Sequence, residues 1–236
     1  MIININYSKQ QFAIAVKKHN GKNLSITVNP DLSICAKFPK EADKKTIEQR
    51  LKKKASWIAK QIDYFSAFQP IALKKKYISG ETHYYLGRQY RLKIRQLKKE
   101  QVKLKGGFFM VGLPNPHNNM HVKKLMQTWY AEHAIVILND RIAKYLPKFI
   151  KLGVKEPVIK FRRMKKRWGS CNNKGNMLFN LELIKTPRHC IDYVITHELC
   201  HLLSNKHDKK FYSLLEKILP DWKRSKEKLE IMAAKI

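Results

Sequence analysis

The hydrophobic period of this chain changes at Pro114-Asn115-Pro116, and that change limits what it can fold into. Before the break, apolar residues come in short alternating runs: INI at the start, FAIAV from Phe12, LSITV from Leu24, LSICAKF from Leu32, then HYYLG, QYRLKI and QVKLKGGFFMVGL. A period of two is that of half-buried strands, and Asn20-Gly21, Asn29-Pro30-Asp31 and Gly106-Gly107 supply turns between them. One stretch interrupts the strands: from Glu41 to about Phe68, Ile47, Leu51, Ala55, Ile58, Ile62 and Phe65 recur at helical spacing. Beyond the break, Val122, Leu125, Met126, Trp129, Ala134 and Ile137 predict a long helix running to about Leu146. A strand at Pro157 to Phe161 follows. RWGSCNNKGNMLFNLELI then reads as two strands around a turn at Asn172 to Gly175. Thr186-Pro187 reads as N-cap and first position of a helix, and two more helices span Phe211 to Leu219 and Asp221 to Ala234.

The expected class is therefore α+β. Residues 1–116 form an antiparallel β-rich domain with one long helix, and residues 117–236 form a helical domain with a small sheet. With 236 residues and 44% hydrophobic content, either half can bury a core. Lys and Arg total 49 against 18 Asp and Glu, a net charge of +31. Residues 1–116 carry 24 basic and 7 acidic side chains, so the charge is no detachable tail and belongs to the folded body. Its natural large partners are anions, DNA or RNA among them. Lys52 to Lys54, Lys74 to Lys76, and Arg162-Arg163 with Lys165-Lys166-Arg167 are the candidate phosphate contacts. Cys35, Cys171, Cys190 and Cys200 include no CxxC pair and read as reduced thiols. No secretory leader pattern or membrane-length apolar run is evident, so a soluble cytoplasmic chain with no membrane partner is expected.

The chemistry concentrates in His197-Glu198-Leu199-Cys200-His201, an H-E-x-x-H pattern inside a predicted helix. Residues four apart on a helix stand nearly over one another, so both imidazoles can turn a nitrogen to one ion, with Glu198 about 100° away. Ile191, Val194, Ile195, Leu199 and Leu202 form the expected buried arc, with the histidines on its flank. A catalytic zinc takes three protein ligands and keeps one position open. His207 is the expected third ligand, returned to the ion by a reversal at Ser204-Asn205. Glu216 is the competing candidate. One zinc per chain is expected, with Mn, Co or Ni able to occupy similar sites. Glu198 is the expected general base for peptide hydrolysis. His133, His189 and the thiol of Cys200 read as ordinary.

FRRMKKRWGSCNNKGNMLFNLELI followed by IDYVITHELCHLLSNKHDKKFYSLLEKILPDWKRSKEKL closely resembles the YgjP-like family of zinc metallopeptidases, relatives of the SprT-like zincins. The resemblance implies a zincin-like catalytic domain, zinc on His197, His201 and His207, and catalysis by Glu198. The family's R-W-G-S-C signature stands here as Arg167-Trp168-Gly169-Ser170-Cys171, and Phe211-Tyr212 replaces its common Phe-Trp. Protein or peptide substrates follow, and SprT-like relatives suggest proteins attached to DNA. The strand at Met177 to Leu181 is expected to be the edge that receives an extended peptide. Arg167 is a candidate for steadying the oxyanion. The competing reading is a basic nucleic-acid-binding protein with a structural zinc.

Overall fold

The computed structural model describes residues 1–8, 10–21, 23–29, 31–66 and 75–236; Pro30, Phe68 and Lys74, which enter the expectations above, lie outside them. The chain forms two compact units, Met1–Ala72 and Leu73–Ala234. The expected division at residue 116 falls inside the second unit. There Phe109, Val111 and Leu113 share one buried core with Val122 and Met126 of the following helix. A one-faced sheet must cover its apolar side, and the nearest long helix does so.

In the first unit, strands β1 (Ile2–Tyr7), β2 (Gln10–His19), β3 (Ser25–Val28) and β4 (Ile34–Pro39) precede helices α1 (Lys44–Lys53) and α2 (Ala55–Ser66). The sheet order is β1-β2-β4-β3, with β2 and β4 parallel, so the sheet is mixed rather than antiparallel. β4 takes the central place because Ile34, Ala36 and Phe38 all point into the core, whereas β3 buries only Val28. The single expected helix is two, broken at Lys54, whose N–H donates to Leu51 O. Ile47, Leu51 and Ile58 still cover the sheet.

The second unit begins with β5 (Thr82–Tyr85), β6 (Arg88–Gln96), β7 (Gln101–Lys105) and β8 (Phe108–Leu113), in the order β5-β6-β8-β7 with β6 and β8 parallel. This is the topology of the first sheet, although no sequence repeat is visible. α3 (Asn119–Ile150) then runs 32 residues, about 48 Å, past the expected end at Leu146. Val122, Met126, Tyr130, Ala134, Leu138, Ile142, Tyr145 and Phe149 form its buried stripe. Pro147 sits inside this helix near its end, where its own carbonyl accepts from Lys151 N.

A small sheet follows, in the order β10-β11-β9: β9 (Ile159–Arg162), β10 (Gly169–Cys171) and β11 (Met177–Asn180). β11 is therefore central, and β10 and β9 are the two edges. The expectation of an edge at Met177 to Leu181 is corrected, because β11 pairs on both sides, antiparallel to β10 and parallel to β9. A 3-10 turn (Leu181–Lys185) leads into α4 (Arg188–Cys200), followed by α5 (Lys209–Ile218) and α6 (Trp222–Ala233). Thr186 is not the N-cap of α4. Its hydroxyl donates to Leu183 O and closes the preceding turn, and Pro187 takes the cap position.

Candidate metal centre

α4 is buried on nearly every face rather than along one arc: Cys190 through Thr196 are buried, as are Glu198, Leu199 and Cys200. Leu202 is only half-buried. A helix so enclosed is the axis of its unit, and its orientation is set by its neighbours. Arg141 of α3 grips Asp192 with two parallel bonds, Nε to Oδ1 at 2.6 Å and Nη2 to Oδ2 at 2.8 Å. A paired guanidinium and carboxylate fix rotation as well as distance.

The two histidines of the pattern sit in the last turn of this helix and just past it. Their rings are 5.0 Å apart. α4 ends at Cys200, earlier than Ser204-Asn205, and the chain turns through residues 201–203. Asp208 then caps α5, its carboxylate accepting from Phe211 N at 3.0 Å, so the residue before the cap returns to α4. That residue is His207, and its Nε2 lies 3.0 Å from His197 Nε2. One nitrogen from each of His197, His201 and His207 lies within 4.8 Å of the others. Phe211, fully buried, is the platform beneath them, with ring centroids 5.0, 4.8 and 4.7 Å from the three imidazoles in that order.

Three imidazole nitrogens facing one another match the donor set of a tetrahedral zinc, whose nitrogen ligands at about 2.0–2.1 Å stand roughly 3.3 Å apart. His201 Nδ1 meets Ser204 O at 3.1 Å, which places the proton there and turns the Nε2 lone pair to the cluster. Burial first, and then the neighbouring imidazoles, push His197 down to about 4, so it stays neutral and ligand-competent. His201 is also lowered, chiefly by burial. The residues present fit a divalent cation. Glu216, the competing candidate, is exposed, and its carboxylate faces Lys223 Nζ at 3.8 Å outside this cluster.

Glu198 is 8% exposed beside a cavity of about 300 Å³ that the three histidines also line. Burial pushes its carboxyl up to about 7, partly offset by Arg167 and by the Cys171 N–H. The backbone of β10 lies directly against it. A Cβ on Gly169 would stand 2.7 Å from Glu198 Cγ and 2.8 Å from its Oε1, so a side chain at this position would displace the carboxylate. The segment leading into β10 is held by Asn180 at the end of β11. Its Nδ2 donates to Met164 O and Arg167 O, both at 2.8 Å, and its Oδ1 accepts from Met164 N and Glu182 N. Gly169 and Phe211 stand out in the sequence only through the family resemblance and Asn180 not at all, because local spacing does not report the contacts each makes here. The thiol of Cys171 shares the cavity and is pushed up to about 11 by burial and by Glu198.

No curated protein matches the chain. Among solved structures, the metallopeptidase zymogen abylysin of Pyrococcus abyssi is 20% identical, covering 40% of this chain and 91% of its own, with a TM-score of 0.34. The metallopeptidase zymogen jannalysin of Methanocaldococcus jannaschii is 23% identical, covering 40% and 93%, with the same TM-score of 0.34. The model of the YgjP-like metallopeptidase domain matches residues 22–232, and the chain therefore belongs to the YgjP-like metallopeptidases.

Proposed function

We propose that this metallopeptidase hydrolyses peptide bonds with one zinc held by His197, His201 and His207 and with Glu198 as general base. The observation that carries the reading is the convergence of three imidazoles beside a buried carboxylate. A zinc ion held there supplies Lewis acidity, which polarises a carbonyl and acidifies water at neutral pH. Glu198 takes the proton of the attacking water and passes it to the leaving amine, so its oxygens must point into the cavity. Gly169 and Cys171 N–H keep them there. The free edge of β10 receives the extended substrate by backbone hydrogen bonds. Arg167, exposed on the same cavity, is the cation available to a developing oxyanion or a substrate carboxylate. A purely structural zinc would need a fourth protein ligand. Among the described residues the cluster comprises three histidines.

The net charge of +31 extends the substrate class to proteins held on DNA, and the four unpaired thiols suit the reducing cytoplasm. Among the described residues no helix is long and apolar enough to cross a membrane. The test is Glu198→Gln beside His207→Ala. The first is expected to retain one zinc per chain by elemental analysis while turnover of a casein or peptide substrate falls roughly 100- to 10,000-fold. The second is expected to lose the metal. Full turnover in Glu198→Gln removes the base, and full zinc occupancy in His207→Ala removes the ligand.

A further inference from the structure

The four-stranded sheet of the second unit has two unlike faces. Leu92, Phe109 and Val111 point inward and are buried. The register across β6, β8 and β7 orders the outward residues in ranks. Arg91 pairs with Phe108 and Phe108 with Lys105, Lys93 with Met110 and Met110 with Lys103, Arg95 with Gly112 and Gly112 with Gln101. Two rows rich in cations therefore flank a central row of Phe108, Met110 and Gly112. All five cations are exposed, Phe108 is 37% exposed, and Lys93 Nζ sits 5.3 Å from the centroid of the Phe108 ring. The four strands contain no Asp or Glu, and no ion pair among the described residues involves any of the five. A shallow groove of about 310 Å³ runs beside Met110 and Gly112, between Arg95, Lys103 and Lys105.

We propose that this outer face binds a single strand of nucleic acid. Unpaired cations in parallel rows are complementary to a phosphodiester backbone, and a central apolar row with an exposed ring offers bases a surface for stacking. A duplex hides its bases and would leave the central row unused. An acidic protein would find no reason for cations and ring to share one rank. The side chains involved lie within residues 91–112, on β6 and on both strands of the β7–β8 hairpin. The surface is distinct from the cavity of Glu198, so the inference stands whether or not the peptidase reading does.

The test is fluorescence anisotropy of a labelled oligothymidylate against the full chain, repeated in Glu198→Gln to separate binding from hydrolysis. If each of the five cations neutralises one phosphate, log K should fall against log salt with a slope of about −3.5. Lys93→Glu with Lys103→Glu should weaken binding at least tenfold and lower that slope by about 1.4, whereas reversing two exposed lysines of the first sheet, Lys17→Glu with Lys37→Glu, should change affinity less than about twofold. Should the reversals disturb folding, as read by circular dichroism, Lys93→Gln with Lys103→Gln carries the same slope prediction. Phe108→Ala should cost about five- to a hundredfold for the oligonucleotide and nothing for inorganic polyphosphate. Absence of binding at low salt, equal losses from the Lys17 and Lys37 reversals, duplex bound as tightly as single strand, or a silent Phe108→Ala would each overturn the proposal.

Discussion

Gly169 is the position at which a single methyl group is expected to separate folding from chemistry. Its missing Cβ is the space that the Glu198 carboxylate fills, 2.7 Å from where that carbon would stand. In Gly169→Ala the carboxylate must move, and a displacement of about 1 Å in a reacting group costs on the order of 100-fold in rate. Turnover should drop by that order while zinc content is unchanged and unfolding free energy shifts by less than about 1 kcal/mol. Unchanged kcat would show that Glu198 does not need this packing. The pair His197 and His201 was legible because four residues on a helix is a local relation, and His207 because a short reversal keeps it near. The roles of Gly169, Asn180 and Phe211 were not, because each acts on atoms that only folding brings to it.

At the scale of the element, α4 owes its setting to α3 through Arg141 and Asp192. The two side chains are 15% and 11% exposed, so removing one leaves a largely desolvated charge. Asp192→Ala is expected to destabilise the second unit by about 3 kcal/mol, read as a lowered denaturant midpoint, with Arg141→Met plus Asp192→Leu costing less than the single change. Equal stability of Asp192→Ala and the parent chain would remove the clamp from the account. β5 carries a second buried polar group. His83, 4% exposed, meets Glu81 Oε2 at 3.0 Å and Phe109 edge-on. Burial, the largest influence, outweighs Glu81 and holds the imidazole down at about 4. The folded form therefore binds its proton more weakly than the unfolded chain, near 6.5. The stabilisation is complete above about pH 6.5 and is lost progressively as pH falls below it. Urea midpoints of His83→Asn and the parent chain at several pH values check this. The parent's loss between neutrality and pH 5 should be shallower in the variant by the share that His83 contributes, with the buried His197 and His201 accounting for the remainder.

For the whole molecule, the two hydrophobic cores share no residue: Ile14, Phe38, Leu51 and Ile58 belong to one, and Phe109, Val122, Phe179 and Leu199 to the other. All four proposed site residues lie in the second unit. A chain of residues 73–236 is accordingly expected to fold, to bind one zinc and to show hydrolysis that Glu198→Gln abolishes. A folded fragment without zinc would show that the first unit completes the site. What the sequence by itself determined is whatever depends on a few successive residues: the strand and helix periods, the α+β class, the helical His197-Glu198-Leu199-Cys200-His201 and the charge. Tertiary structure alone decided where the units divide, which strands of the small sheet are its edges, and that Arg91, Lys93, Arg95, Lys103 and Lys105 share one face. The reason is physical. A side-chain period reports which face of an element is apolar, but strand partners and their parallel or antiparallel sense are chosen by how those faces cover one another across long stretches of chain.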